Sequence, residues 1–211
     1  MKMDKKYDTY CYYCDDEAIS EDHLPPNCIF NDPKPSNRIK VPSCSKHNLH
    51  QSKNDEYFRW FITTASAGNA IAEKIVKEKI KRQFQRKPKL LYHIFKQRKK
   101  IELYSKSGIY LGTKPAFEYD RDRIQSVISR LTKGLYFHFF KEKLPKGSVV
   151  EDFILNPQLD GRIKNAIIYL PLYEIGKDTF SFRFVRDEQN KCSSSWLFLF
   201  YNKTLIWSLT S

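Results

Sequence analysis

The chain has 211 residues, 41% hydrophobic and 29% charged, with 37 basic side chains against 24 acidic ones and a formal charge of +13. That balance excludes a disordered polyelectrolyte, which lacks the apolar surface to fold, and a membrane-spanning chain: the most apolar run, Trp196 to Phe200, is far shorter than the ~18 residues a spanning helix needs. The positive excess attracts polyanions, nucleic acid above all, with a basic surface kept for solubility as the plainer alternative.

In chain order, residues 1 to 10 read as a charged lead-in without an apolar leader, so the expected location is cytoplasmic. Cys11-Tyr-Tyr-Cys14 opens a metal knuckle, followed by the acidic turn Asp15 to Glu17. Ser20 to His23 reads as a short strand ended by Pro25 and Pro26, because proline fixes φ and removes a donor. Asn31 to Asn37 is a loop by composition, and Arg38 to Val41 alternates polar with apolar as the returning strand. A helix is expected from Ser45, its N-cap, with Leu49, Tyr57, Trp60 and Phe61 on the packed side. A joint follows around Gly68. A second helix is expected from Asn69 toward Gln85, stopped by Pro88.

Twelve basic residues fall between Lys74 and Lys100, with only Glu73 and Glu78 as nearby acids. Lys74, Lys77, Lys81, Arg82 and Arg86 are therefore candidates for contact with a phosphate backbone, against a solvated helical face as the alternative. Ile101 to Leu111 reads as a strand pair turned at Ser107-Gly108, and Arg121 to Phe140 as a third helix with Ile124, Ile128, Leu131 and Leu135 at three-and-four spacing. The aromatic run Tyr136 to Phe140 reads as core. Beyond Ser148, short apolar strands at Ile167–Tyr173, Phe180–Val185, Trp196–Tyr201 and Thr204–Leu209 predict an antiparallel meander. The expected class is α+β, divided into a metal-stabilised module over 1–65, a basic helical arm and helix-rich region over 66–147, and a β-rich part over 148–211.

Cys11, Cys14, Cys44 and His47 carry the paired spacing of a structural zinc site, since each pair clamps one edge of a tetrahedral ion. Cys28 and Cys192 are left as ordinary buried thiols in a reducing compartment. Between the pairs lie Asp22-His23, Asn37 and Asn48, oxygen and imidazole donors suited to a harder second ion. His50, one helical turn past His47, either replaces it on zinc or approaches that second ion. Asn54, Asp55 and Glu56 read as exposed helix polar groups, with support of the metal ligands as the alternative, and Arg59 either contacts phosphate or lays its stem beside Tyr57.

Over its first 60 residues or so the sequence resembles the HNH endonucleases of the ββα-metal superfamily. The order Asp22-His23, Asn37, then Asn48 after the second metal pair carries the resemblance, along with Pro25-Pro26 and the entry Val41-Pro-Ser-Cys44. One departure is His47, where family members usually have cysteine. The resemblance implies a metal-dependent endonuclease acting on DNA, or less readily RNA, with His23 as general base. Asp22 and Asn48 would hold one catalytic Mg2+ or Mn2+, Asn37 would brace the loop that aims His23, and one Zn2+ would be structural. It also implies a setting in bacterial or phage defence or mobile elements, with a regulatory ATPase or sensor as partner; for double-strand cutting, either one active site acts twice or a homodimer forms. A non-catalytic, zinc-containing nucleic-acid-binding module is the rival. Because a strand alternates its faces, bringing Asp22 and His23 to one site predicts a bend or bulge between them.

Overall fold

In a computed structural model of the chain, residues 9–86, 92, 98–155 and 169–211 are described. Residues 1–8 of the lead-in, the stop at Pro88, the arm over 87–91 and 93–97, the side chain of Lys81, and Ile167 and Ile168 at the start of the strand expected over 167–173 lie outside them. The described part of that span, 169–172, is not strand, and pairing begins at Tyr173.

Two strands, β1 (Ser20–Leu24) and β2 (Ile39–Ser43), pair antiparallel with Asp22 opposite Val41 and His23 opposite Lys40. The register is regular, so the bulge expected between Asp22 and His23 is absent. Asp22 and Leu24 turn inward while His23 is half-buried on the opposite face. After β2 the chain makes a tight turn through Ser45 to Asn48 and a 3-10 turn at Leu49–Gln51 before α1 (Ser52–Ala65) begins. The helix thus starts seven residues later than expected, and Ser45 does not cap it. The turn is held instead by the Asn48 amide donating to the Cys44 carbonyl at 3.1 Å, which keeps His47 on the same side as Cys44.

Asn69 caps the next helical run, its side chain accepting from the amides of Ile71 and Ala72. The run comprises α2 (Ala70–Ile75), a π-helical turn (Val76–Ile80) and α3 (Lys81–Arg86). A hairpin follows, β3 (Arg98–Tyr104) with β4 (Tyr110–Phe117), longer than the pair expected at 101 to 111. The long α4 (Arg121–Phe140) has the bounds its sequence period predicts, with Asp120 as N-cap.

The C-terminal sheet runs in the order β5 (Val150–Leu155), β9 (Thr204–Thr210), β8 (Ser194–Phe200), β7 (Phe180–Arg186) and β6 (Tyr173–Ile175), all antiparallel. β5 was not expected from sequence, because Asp152 interrupts its apolar pattern. One face of the sheet buries Phe180, Phe182, Trp196, Phe198, Phe200 and Ile206. Against it lies α4, with Thr132 Oγ1 2.8 Å from Ser208 Oγ and Phe139 on Phe184 at 4.6 Å, while Ile124, Ile128, Leu131 and Leu135 are buried in the same core.

The sheet and the N-terminal ribbon share one buried cluster. Phe58 of α1 meets Phe200 edge-on at 5.3 Å, and the Tyr201 hydroxyl donates to the Ile29 carbonyl at 2.7 Å. Gly134 lets α4 approach the ribbon: a Cβ there would stand 2.4 Å from Leu24 Cδ1. A mid-helix glycine costs about 1 kcal/mol relative to alanine, and this close approach is the compensating gain. Among the described residues no helix is long and apolar enough to cross a membrane.

Candidate metal centre

The knuckle is closed by an isolated bridge between Tyr10 and Glu17 and by the Cys11 amide donating to the Asp16 carbonyl at 2.9 Å. The Tyr12 amide donates to the Pro42 carbonyl at 2.8 Å, which lays the knuckle against the end of β2 and brings Cys11 and Cys14 to Cys44. The donor atoms of Cys11, Cys14, Cys44 and His47 all lie within 4.8 Å of one another. Cys14 Sγ is 3.7 Å from Cys44 Sγ, and His47 Nδ1 is 3.2 Å from Cys44 Sγ and 3.7 Å from Cys11 Sγ. A tetrahedral ion bound at about 2.3 Å to sulfur and about 2.0 Å to nitrogen sets ligand-to-ligand edges of roughly 3.5–3.8 Å, so these donors fit one divalent ion.

The electrostatics agree with the geometry. Burial pushes the Cys14 thiol up to about 12, and the neighbouring Cys11 adds to the rise. Burial also opposes the Cys11 thiolate, yet backbone hydrogen bonds around its sulfur, including the Tyr13 amide at 3.4 Å, leave its pKa lowered. Thiols crowded so that one anion raises the next are stabilised by a cation among them. Burial, then the lysines and Arg130 nearby, depress His47, so its imidazole is neutral and able to ligate. Tyr13 stacks on that ring at 4.2 Å and fixes its plane. His50 is exposed and stands outside the cluster; His47 is the fourth donor.

Immediately beside this frame is a second buried polar group. Asp22, 4% exposed, accepts from the Tyr12 hydroxyl at 3.0 Å and from Arg130 at 3.2 Å through the same oxygen. Arg130, 3% exposed on α4, also pairs with Asp55 of α1 and donates to the His47 carbonyl at 3.3 Å. Burial raises the carboxyls of both Asp22 and Asp55, Asp55 to about 6, while Arg130 opposes the rise in each. Asp55 is therefore not the exposed helix group that its setting in sequence suggests. Neither Arg130 nor Tyr12 was singled out from sequence, although an arginine among buried positions of an amphipathic helix is a legible sign of an internal acid partner.

The other candidates lie around this ribbon. Burial, then Arg38 and Lys40, lower the pKa of His23 and keep it neutral at physiological pH. Asn48 donates to the Glu21 carbonyl at 3.0 Å and to Ser20 Oγ at 2.9 Å, which sets its amide against β1. Asn37 turns to the C-terminal sheet: it donates to the Glu174 carbonyl at 2.9 Å and accepts from the Gly176 amide at 3.4 Å. For an ion on Asp22 and Asn48 the donor types are suitable, but the Asp22 carboxylate is buried and one of its oxygens is already held by Tyr12 and Arg130. Arg59 is buried, whereas Lys74, Lys77, Arg82 and Arg86 are exposed. Cys28 donates to the Asp55 carbonyl at 3.3 Å, and burial pushes its thiol up to about 12, so it stays protonated. No protein-family model, no curated protein and no solved structure matches the chain.

Proposed function

We propose that the chain is a metal-dependent endonuclease of the HNH type that hydrolyses DNA phosphodiester bonds, with Zn2+ as the structural ion of the Cys11, Cys14, Cys44 and His47 frame. The observation that carries this reading is the antiparallel ribbon and following helix clamped by a Cys3His frame, with a neutral, half-buried His23 on one strand and the Asn48 amide bonded to that same strand. His23 accepts the proton of the attacking water, the role for which an imidazole kept neutral is suited. A Mg2+ or Mn2+ ion held by Asn48 and Asp22 would supply charge stabilisation for the leaving 3′ oxygen. Because Asp22 and His23 stand on opposite faces of β1, this reading requires the strand to bend between them when the ion and substrate bind. Exposed Lys74, Lys77, Arg82 and Arg86 face the phosphate backbone, and binding weakens steeply with salt.

One observation favours a second reading, a zinc-containing module that binds nucleic acid without cutting it: Asp22 is buried and already paired with Arg130 and Tyr12. Supercoiled plasmid incubated with Mg2+ or Mn2+ separates the two. The first reading expects nicking by the native protein, a loss of about 10²–10⁴-fold in His23→Ala, and equal DNA affinity in both. Binding by the native protein without cutting across a series of divalent ions decides for the second.

A further inference from the structure

The β3–β4 hairpin stands apart from the rest of the fold in its exposure. Among the described residues its two strands pair only with each other, so both edges are open and both faces are largely exposed. It is nonetheless anchored: Phe117 meets Trp60 of α1 edge-on at 6.3 Å, Tyr119 packs on Phe61 at 5.1 Å, and the Asp120 amide donates to the Tyr57 hydroxyl at 2.7 Å. The ribbon therefore springs from the helix that follows the metal frame.

Large apolar side chains crowd its outer half. Ile101, Tyr104, Ile109, Tyr110 and Leu111 are 45 to 64% exposed, a grouping that soluble surfaces ordinarily avoid. Tyr104 and Tyr110 pair across the ribbon at 5.6 Å, and Leu111 sits at a register shift beside them. Basic residues interleave with this patch. Lys114 is the cross-strand partner of Ile101, Lys99 and Lys100 precede it, and Lys106 stands in the turn. From Arg98 to Glu118 there are five basic side chains against two acidic ones, Glu102 and Glu118.

We infer that this hairpin is a duplex-DNA-binding ribbon that enters the major groove, its lysines on the flanking phosphates and its Tyr104, Tyr110 and Leu111 tip against the base edges. The inference rests on the DNA-directed reading above. Two strands about 4.8 Å apart with their side chains match a groove about 12 Å wide, which admits a two-stranded ribbon. The charge decides between occupants. A second copy of the same ribbon would set like charges edge to edge, whereas a polyanion complements the lysines and tolerates an apolar tip against thymine methyls.

Fluorescence anisotropy of a labelled 25-base-pair duplex, without added Mg2+ or Mn2+, tests this independently of cleavage. Replacing Lys99, Lys100, Lys106 and Lys114 by alanine should weaken binding at least tenfold and flatten the salt dependence by about 0.9 for each lost phosphate contact. Tyr104→Ala with Tyr110→Ala and Leu111→Ala should weaken it about tenfold while leaving the salt slope unchanged. The substituted side chains are all exposed, so melting temperatures should stay within a few degrees of the native protein. Affinity unchanged in both variants overturns the inference. So does an equal loss on duplex RNA, whose deep, narrow major groove a ribbon does not enter. A concentration-dependent dimer in sedimentation that only the tip variant dissolves, at constant DNA affinity, overturns it in favour of self-association. If plasmid is never cut but the variants lose duplex binding, the nuclease reading falls and the hairpin assignment stands.

Discussion

Two buried polar clusters lie side by side under the same ribbon and solve opposite problems. In the Cys3His frame the donor atoms lie within 4.8 Å of one another, and among the described residues none of them is paired with a lysine or arginine, so the site suits an ion from outside. In the Asp22–Arg130–Asp55 group the protein supplies its own cation, and Tyr12 completes it. The two are joined covalently at Cys11-Tyr12 and through the Arg130 bond to the His47 carbonyl. The difference teaches that convergence of acidic or thiol ligands marks a metal site only where no guanidinium already fills the centre.

The sharpest way to break this comparison is to remove the external cation. Cys44→Ser, or a strong chelator, should strip the metal and lower stability by several kcal/mol, against apparent binding energies of about 10–16 kcal/mol for structural zinc in isolated fingers. Elemental analysis together with thermal melting reads it; a native protein that holds no metal and melts unchanged with chelator would remove the frame from the account.

Removing the internal cation comes next. Arg130→Met leaves two carboxylates facing each other in a buried site and should cost about 3–5 kcal/mol in urea unfolding, because an uncompensated buried charge remains. Combining it with Asp22→Asn and Asp55→Asn should recover most of that loss. If the triple variant is as unstable as the single one, Arg130 matters through packing rather than charge.

The smallest effect is one of pH. The Asp55 carboxyl is raised in the folded protein to about 6, above its ordinary value of 3.8, so the native state holds that proton more tightly than the unfolded chain does. Its stabilising contribution is complete below about pH 4 and lost as pH rises through about 6, by at most on the order of 2–3 kcal/mol. Asp55→Asn has no such titration. The melting temperature of the native protein relative to this variant should therefore fall between pH 4 and 6, and a flat difference would show that Arg130 neutralises Asp55 across the whole range.

Local sequence was enough for what depends on neighbours along the chain. The CxxC and CxxH spacings name the four metal donors, since each pair needs only one tight turn to face inward. The three-and-four repeat of Ile124, Ile128, Leu131 and Leu135 marks α4, and the alternation in Trp196–Tyr201 and Thr204–Leu209 locates β8 and β9 to within two residues at each end. What the chain alone left open depends on residues far apart in sequence. Arg130 reaches Asp22 across 108 positions, and Asn37 reaches Glu174 across 137. Whether Asp22 faces an open site or a guanidinium is decided by where α4 docks against β1, at Gly134 and Leu24, and no local period encodes that contact. The metal frame was thus written in spacing, while the state of the acid beside it was decided by tertiary packing, because a buried charge takes its character from whichever partner the fold brings to it.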